Sequence, residues 1–439
     1  MSRVNCSATR LRRFSICLCA LSIAAAALEA TPIRAASAPA KAVGETAAMV
    51  MRSDPRLWHV VAQGEALPAG ILLVGMHGAA LESADGAVRL TMVTDLDGRS
   101  PYPVVESAVV LHDSSKADLD FTLDRGRVDL VNRKEKGAAH VHLHVRKATW
   151  DLTLTEPGTR LALLLYGRWP RGATFKPDPG PTDVPTADLV FLVIDGRVNL
   201  EHAGREYEMK CPPGAALIEW DSVTGEDDSP AHLDKLPDWA HEENADSPTA
   251  QATKARQAKL RAMVREKGIQ ATLDTLIDSD NADYRRSAVN AMAALDDLKD
   301  LGAAMRDSKH PDVIEDGILA MRRWIGRAPG QDQILYKKLI EVRKLSPVHA
   351  ATVLQLLHSF GDVDLAQPET YQTLIDYLDH RELPIRALAY WHLSRLVPAG
   401  KKFGYQPQAS KEEREAAIRQ WRALLPAGKL PPRPGQPEK

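Results

Sequence analysis

The chain has 439 residues, of which 44% are hydrophobic and 26% are charged, and its formal net charge is −2. This length predicts two or three domains, and the ordinary balance of apolar and charged residues excludes wholesale disorder. The near-zero net charge excludes the strongly basic domain that is typical of nucleic-acid-binding proteins, so we expect no nucleic-acid partner.

The N-terminal segment, residues 1–36, has the features of a secretory signal. Four arginines precede an uncharged run at residues 14–28, and small residues follow at 30–38. A basic region, a short apolar region and a small-residue cleavage site are typical of such signals. The run is shorter than the ~20 residues that a membrane-spanning helix needs. We therefore expect a periplasmic or secreted protein. The alternative is an uncleaved anchor that holds the chain at the membrane, facing the periplasm.

Residues 57–220 predict an all-β domain. Residues 36–56 are small and polar and predict a linker before it, and the Pro- and Gly-rich residues 168–185 predict an exposed loop within it. Short runs of β-branched and apolar residues alternate with glycines, which is typical of a sandwich, a barrel or a β-solenoid. The clearest predicted strands are residues 57–62, 71–74, 87–93, 107–111, 118–123, 127–132, 140–145, 151–154, 160–166, 189–194, 198–202 and 215–220.

One phrase occurs twice in this domain. "GRVDL" begins at Gly126, and "GRVNL" begins at Gly196, seventy positions later. Glycine accepts the positive φ that tight turns require, so each glycine predicts a break between two strands. The repeat predicts two related hairpins in one all-β domain.

Residues 221–250 form an acidic, Pro-containing stretch that predicts an interdomain linker. After it, the spacing of apolar residues changes from a strand-like to a helical period. Residues 251–425 have apolar residues at helical spacing. Asp278, Asp307 and Asp379 each precede a helix with a small residue on its crowded face. Their spacing of 29 and 72 residues, the second about two units, is typical of an α-solenoid. An unrelated helical bundle is the alternative, and residues 426–439 predict a Pro-rich tail.

The β phrases resemble a known family. "ADGAVRLTMV", "LDRGRVDLVN", "TWDLTLTEPGTRLAL" and "IDGRVNL…PPGAALIEW" occur in the order found in FecR-like domains, and together they cover residues 57–220. The resemblance implies an extracytoplasmic, noncatalytic β domain. Founding members span the membrane and relay an outer signal to a cytoplasmic sigma factor. Here the apolar segment begins at residue 14, so we do not expect a cytoplasmic domain or anti-sigma activity. The C-terminal half is similar to HEAT-like repeats, which implies protein-binding surfaces.

A histidine pattern gives the alternative function. His140, His142 and His144 alternate along a predicted strand, so they share one face, as in a cupin-type metal site. The glutamate and the second histidine motif that a cupin requires are absent from the expected positions. We therefore expect a polar, solvent-facing strand side, and we keep a metal-dependent, cupin-like envelope enzyme as the alternative.

Four tryptophans, at positions 58, 150, 169 and 220, could form a carbohydrate platform, although tryptophan at strand ends also packs as core. No nucleophile elbow, Walker loop or dinucleotide fingerprint occurs in the sequence. The sequence therefore predicts a multidomain protein, all-β followed by all-α. We expect it to be exported and noncatalytic, to need no cofactor, and to bind or sense a protein or an envelope glycan.

Overall fold

The computed structural model describes residues 38–44, 49–54, 57–96, 98, 100, 102–241, 247–306 and 310–431. The predicted signal segment, with the alternative that it is an anchor, lies outside these residues, as does most of the predicted tail. Among the described helices, none has both the length and the apolarity needed to cross a bilayer. The described chain is β-rich in its N-terminal part and helical in its C-terminal part, as the sequence predicts.

The β part contains sixteen described strands. In chain order they are β1 (Ala40–Val43), β2 (Met49–Asp54), β3 (Leu57–Val60), β4 (Ala66–Leu67), β5 (Leu72–Gly75), β6 (Ala80–Ser83), β7 (Val88–Val93), β8 (Ser107–His112), β9 (Leu119–Asn132), β10 (Ala139–Val145), β11 (Ala148–Leu154), β12 (Arg160–Arg168), β13 (Thr186–His202), β14 (Arg205–Cys211), β15 (Ala215–Asp221) and β16 (Ala231–Leu233).

The strands form two sheets that share two long strands. Sheet A has the order β4-β1-β6-β7-β9-β12-β13-β15-β16. Sheet B has the order β3-β2-β5-β8-β9-β10-β11-β13-β14. All pairs are antiparallel except β9 with β10. The apolar sides of both sheets contribute to one core, which gives a two-layered β-sandwich.

The repeated glycines bend β9 and β13 where these strands pass from one sheet to the other. Gly126 has φ of +85° and Gly196 has φ of +82°, and both lie inside continuous strands. β8 pairs with β9 only as far as Arg125, whereas β12 pairs with β9 from Gly126 onward. The prediction of two related hairpins was therefore wrong. Positive φ serves a bend that lets one strand belong to both layers.

Large aromatic side chains link the two layers at the centre of the sandwich. Trp150 of sheet B is fully buried, and its ring centroid lies 5.5 Å from that of Phe191 and 5.3 Å from that of Trp220, both in sheet A. The Trp150 indole N–H donates to Asp227 over 3.2 Å, so its one polar group is satisfied inside the core.

The β part extends beyond both of its predicted limits. β1 and β2 lie in residues 36–56, which we expected to be a linker. β1 pairs with β4 and β6, and β2 pairs with β3 and β5, so this segment belongs to the sheets. The expected linker at residues 221–250 contributes β16 and the buried Asp227, which accepts from Trp150 and His202. Its residues Leu236 and Trp239 pack on the outer side of sheet A. The acidic residues before the helices therefore belong largely to the sandwich.

The helical part begins at residue 248. Its α-helices are α1 (Pro248–Lys267), α2 (Ile269–Ile277), α3 (Ala282–Ala294), α4 (Leu298–Ala304), α5 (Pro311–Gly326), α6 (Gln331–Glu341), α7 (Pro347–His358), α8 (Asp362–Leu365), α9 (Pro368–Tyr377), α10 (Leu383–Leu396) and α11 (Lys411–Leu424). Ser247, Asn281, Ser346 and Ser410 accept backbone N–H groups at helix starts, and proline occupies the first turn of five helices.

These helices pack as sequential pairs. α2 packs on α3, α4 on α5, α6 on α7 and α9 on α10, and the second members α3, α5, α7 and α10 contact one another in succession. Ala288 and Ala389, predicted as small residues at crowded faces, are fully buried. At Gly317 an added Cβ would lie 2.9 Å from the sulfur of Met305, so the small residue admits the neighbouring helix.

Polar contacts from the β part cap the end of a helix. The Arg125 guanidinium donates to Ala294 O over 2.8 Å, and the Trp58 indole donates to Leu295 O over 3.1 Å. These carbonyls end α3, where free acceptors and the negative end of the helix dipole favour donors and cations. Phe175, in the loop that we expected to be exposed, is buried in the helical core. The sandwich and the helices therefore meet through a packed, hydrogen-bonded interface.

Candidate functional site

A groove between the helices has a mostly apolar lining. We call it the helical groove. It has a volume of about 450 Å³, and its lining comes from α4 to α7 and α10. Ile318, Leu357 and Leu388 on its floor are almost fully buried, which shows that the floor is part of the helical core. The lining residues are Gly302, Met305, Arg306, Ile314, Ile318, Met321, Leu335, Leu339, Arg343, Leu345, Val353, Leu357, Arg381, Glu382, Leu383, Pro384, Ala387 and Leu388.

Three arginines border this groove. Arg343 lies over Gly302, where an added Cβ would be 2.9 Å from its Nη2 atom. Arg306 donates to the Gly302 carbonyl over 2.8 Å, so the two guanidiniums share one end of the groove. Burial, followed by repulsion from Arg306, lowers the pKa of Arg343. Arg381 already contacts Glu382 at 3.3 Å. The groove thus combines an apolar floor with a pair of neighbouring positive charges at its rim.

The predicted histidine strand is β10, and its histidines share one face. His142 and His144 are partly exposed and His140 is exposed, whereas the intervening Val141 and Leu143 are buried. The three side chains do not converge on one point. The rings of His142 and His144 are in contact, with centroids 4.6 Å apart, whereas His140 contacts Thr153 of β11 at 3.3 Å. The structure therefore separates His140 from the other two.

Strand register brings a different set together. His112 of β8 and His142 of β10 lie on either side of Asp120 of β9, and His144 lies opposite Thr122 one step along. The His144 ring donates a 2.9 Å hydrogen bond to Asp120, and its centroid is 5.0 Å from that of His112. We call His112, Asp120 and His144 the histidine cluster. One ligand atom from each lies within 4.8 Å of the other two.

The surroundings of the cluster are polar and partly open to solvent. Thr122 Oγ1 lies 2.8 Å from a His112 ring nitrogen, and Asp151 lies 2.6 Å from a nitrogen of His142. Burial lowers the pKa of His112, and the charges of His144 and His142 lower it further while Asp120 opposes them. A lowered pKa favours the neutral imidazole, which is the form that coordinates metal ions.

Neither His112 nor Asp120 was a predicted site residue. Alternation within "SAVVLH" and "LDFTLD" puts both on the outer side of their strands. Their meeting depends on how β8, β9 and β10 are aligned, which no spacing within one segment encodes.

A second cavity of about 490 Å³ lies on the outer side of sheet A, below the segment 238–241. Arg127 lines this cavity and donates to both oxygens of Asp129, each over 2.8 Å. Its remaining terminal nitrogen donates to Trp239 O over 2.7 Å. Because this guanidinium is already paired within the chain, the cavity is a weaker candidate for an anionic ligand than the helical groove.

The tryptophans do not form a carbohydrate platform. Trp150 and Trp220 are buried between the sheets. Trp58 donates to Leu295 O, and Trp169 donates to Ile325 O over 3.0 Å while its ring stacks on His358 with centroids 4.4 Å apart. The alternative of a tryptophan sugar platform was wrong, because these side chains are used within the fold.

Comparison of the chain with known proteins finds no matching family model, no matching curated protein and no matching solved structure.

Proposed function

We propose that this is an exported, noncatalytic envelope protein with a FecR-like β domain and a HEAT-like α-solenoid. Its helical groove binds an acidic, partly apolar segment of a partner protein. The observation that carries this proposal is the pair of neighbouring guanidiniums, Arg306 and Arg343, at the rim of an apolar groove of about 450 Å³.

The charge pair favours an anionic occupant. Two neighbouring positive charges repel one another, and a carboxylate placed between them relieves this repulsion and gains charge-assisted hydrogen bonds. Among the described residues that line the groove, Glu382 is the only acid, and it already contacts Arg381. A segment that brings one or two carboxylates to Arg306 and Arg343 therefore has a favourable electrostatic partner here.

The floor favours apolar side chains beside those carboxylates. Ile314, Met321 and Leu335 line it with hydrocarbon. Burial of leucine-sized side chains there contributes about 1.5–3 kcal/mol each. An amphipathic helix in a groove uses this combination of an apolar face and flanking charges. The same lining supports binding rather than catalysis, because it offers one carboxylate and no described histidine, cysteine or serine.

The helix pairs support the α-solenoid part of the proposal. Each pair adds its second helix to the row formed by α3, α5, α7 and α10, as repeat units do when they stack on their neighbours. Stacked helix pairs provide extended surfaces for partner proteins.

Support for the FecR-like part comes from the order of the four β phrases. They fall on β7, β9, β11 with β12, and β13 with β15. Export rests on the predicted signal segment. An envelope partner protein is consistent with both, and a glycan partner is not favoured because the tryptophans are engaged within the fold.

The test is a fluorescence-anisotropy titration with two synthetic peptides. Both carry leucines at positions i, i+3, i+4 and i+7 of a helix, and they differ only in having glutamate or lysine at the flanking positions. We expect the glutamate peptide to bind at least about tenfold more tightly, a difference of 1.4 kcal/mol. Arg343→Ala should reduce this preference, whereas Arg419→Ala, at an exposed position of α11, should leave it unchanged. Equal binding of the two peptides would contradict the proposal.

A further inference from the structure

The geometry points to a binding site for one divalent transition-metal ion, of the Zn²⁺ class, on the outer side of sheet B. His112, Asp120 and His144 are its ligands. The site is independent of the helical groove. It differs from the predicted set, because it leaves out His140 and His142 and adds His112 and Asp120 from neighbouring strands.

The first argument is distance. One ligand atom from each of the three residues lies within 4.8 Å of the other two. An ion at the centre of such a triangle is at most about 2.8 Å from each atom. Side-chain rotations that move each ligand atom by about 0.7 Å then give the 2.0–2.2 Å of Zn–N and Zn–O bonds. No backbone rearrangement is needed.

The second argument is the rigidity of the platform. Next to each ligand in its strand lies a residue whose side chain is buried in the core. Leu111 beside His112, Phe121 beside Asp120 and Leu143 beside His144 are all fully buried. The three strands are paired in a continuous ladder, so the positions of the ligand Cα atoms are fixed before an ion arrives. Ligands held on rigid strands lose little conformational entropy on binding.

The third argument is ligand chemistry. Two imidazoles and one carboxylate suit Zn²⁺ and its neighbours Co²⁺ and Ni²⁺, whereas Ca²⁺ and Mg²⁺ prefer a set of oxygen ligands. Asp120 also supplies the negative charge that offsets part of the ion's charge. Thr122, 2.8 Å from a His112 ring nitrogen, and the His142–Asp151 pair next to it supply the polar surroundings that orient metal ligands.

Three protein ligands leave a fourth position open on the solvent side. The three cluster residues are partly exposed to solvent. A water molecule, or a donor from a second macromolecule, would complete the tetrahedron. The site therefore suits metal-dependent sensing or attachment rather than catalysis in an enclosed pocket.

The experiment is a titration of the tag-free full chain, stripped with chelator, with Co²⁺ and then Zn²⁺. We expect one Co²⁺ per chain with visible d–d absorption bands, displaced by one Zn²⁺ in calorimetry. His144→Ala and Asp120→Asn should each weaken Zn²⁺ binding at least about tenfold. The matched control is His140→Ala, on the same strand and the same face.

Circular dichroism establishes that each variant is folded, and Asp120→Asn preserves shape if an alanine variant fails to fold. Retention of wild-type affinity by Asp120→Asn and His144→Ala would overturn the assignment. An equal loss in His140→Ala would return the site to the alternating histidines of β10. Failure of the wild-type chain to bind stoichiometric Co²⁺ or Zn²⁺ would show that the cluster is only a set of ion pairs. None of these results bears on peptide binding by the helical groove.

Discussion

Gly167 at the end of β12 and Gly326 at the end of α5 bring two backbones into direct contact. A Cβ added to Gly167 would lie 2.6 Å from the carbonyl oxygen of Gly326, and one added to Gly326 would lie 2.9 Å from the Cα atom of Arg168. Only residues without a side chain allow this approach. The pair therefore fixes the place where the sandwich meets the helices.

Gly167→Ala should destabilise the protein by about 2 kcal/mol, because a methyl group that has no space forces the strand and the helix apart. Urea unfolding measures this change. Gly180→Ala is the matched control, since its added Cβ meets only Asp183 Oδ2, at 3.4 Å, and it should change the free energy of unfolding by less than about 0.5 kcal/mol. Equal effects of the two substitutions would show that the two backbones are not in contact.

Asp296 connects three donors from both parts of the protein. Its carboxylate is ion-paired with Arg52 of β2 and Arg327 after α5, and it accepts the Trp324 indole N–H over 2.9 Å. Burial, followed by repulsion from Arg125 and other charges, lowers the pKa of Arg327 to about 9. The surroundings of Arg327 thus disfavour its positive charge, and Asp296 offsets that cost.

Asp296→Asn should therefore destabilise the protein by about 3 kcal/mol, because it leaves buried guanidinium charge without its counter-ion. Asp376→Asn is the control. Asp376 pairs with Arg422 at 3.1 Å, but both side chains are largely exposed, so its loss should cost less than about 1 kcal/mol. Chemical denaturation of both variants at pH 7 checks the difference, and a cost for Asp296→Asn as small as that for Asp376→Asn would rule out a structural role for the buried pair.

His392 gives the helical part a dependence on pH. Burial, assisted by the nearby charges of Arg322 and Arg395, lowers the pKa of His392 to about 4, although its hydrogen bond of 2.7 Å to Leu356 O acts in the opposite direction. Between about pH 6.5 and pH 4 the unfolded chain takes up a proton at this residue that the folded chain does not. The free energy of unfolding should fall by about 3 kcal/mol as the pH drops through this window, and it should not change through His392 above pH 7.

His392→Gln removes this titration and keeps a donor for Leu356 O. Between pH 7 and pH 4, its free energy of unfolding should fall by about 3 kcal/mol less than that of the wild type, as measured by urea unfolding at several pH values. His232→Gln, at an exposed position of β16, should keep the wild-type dependence. If the slope of His392→Gln matched that of the wild type, the buried histidine would not be its source.

Much of the β and helical pattern follows from the sequence, because side-chain alternation and helical spacing are local. β10 and the pairing of α2 with α3 lie where their periods predict them. β14, "REYEMKC", carries four charged residues on an edge strand and has little apolar alternation to find. Gly126 shows a second limit of prediction from sequence. A glycine with positive φ can lie in a turn or in a bent strand, and only the strand pairing on either side of it distinguishes the two.

The candidate sites depend on contacts that no local pattern contains. His112 and His144 are 32 positions apart and meet because β9 lies between their strands with a defined register. Arg306 and Arg343 meet because α6 returns the chain to the end of α4. The sequence marked the histidine strand as chemically unusual but could not supply its partners, and it gave no sign of the paired arginines.

The most direct test of the proposed function is a charge exchange at the helical groove. In Arg306→Glu/Arg343→Glu the rim becomes negative while the apolar floor is unchanged. Fluorescence anisotropy at low and high salt should show that the affinity of this variant for the glutamate peptide is lower by at least about tenfold. Its affinity for the lysine peptide should be higher than that of the wild type. Arg419→Glu should bind like the wild type. An unchanged preference for the glutamate peptide in the double variant would contradict recognition of an acidic segment at this groove.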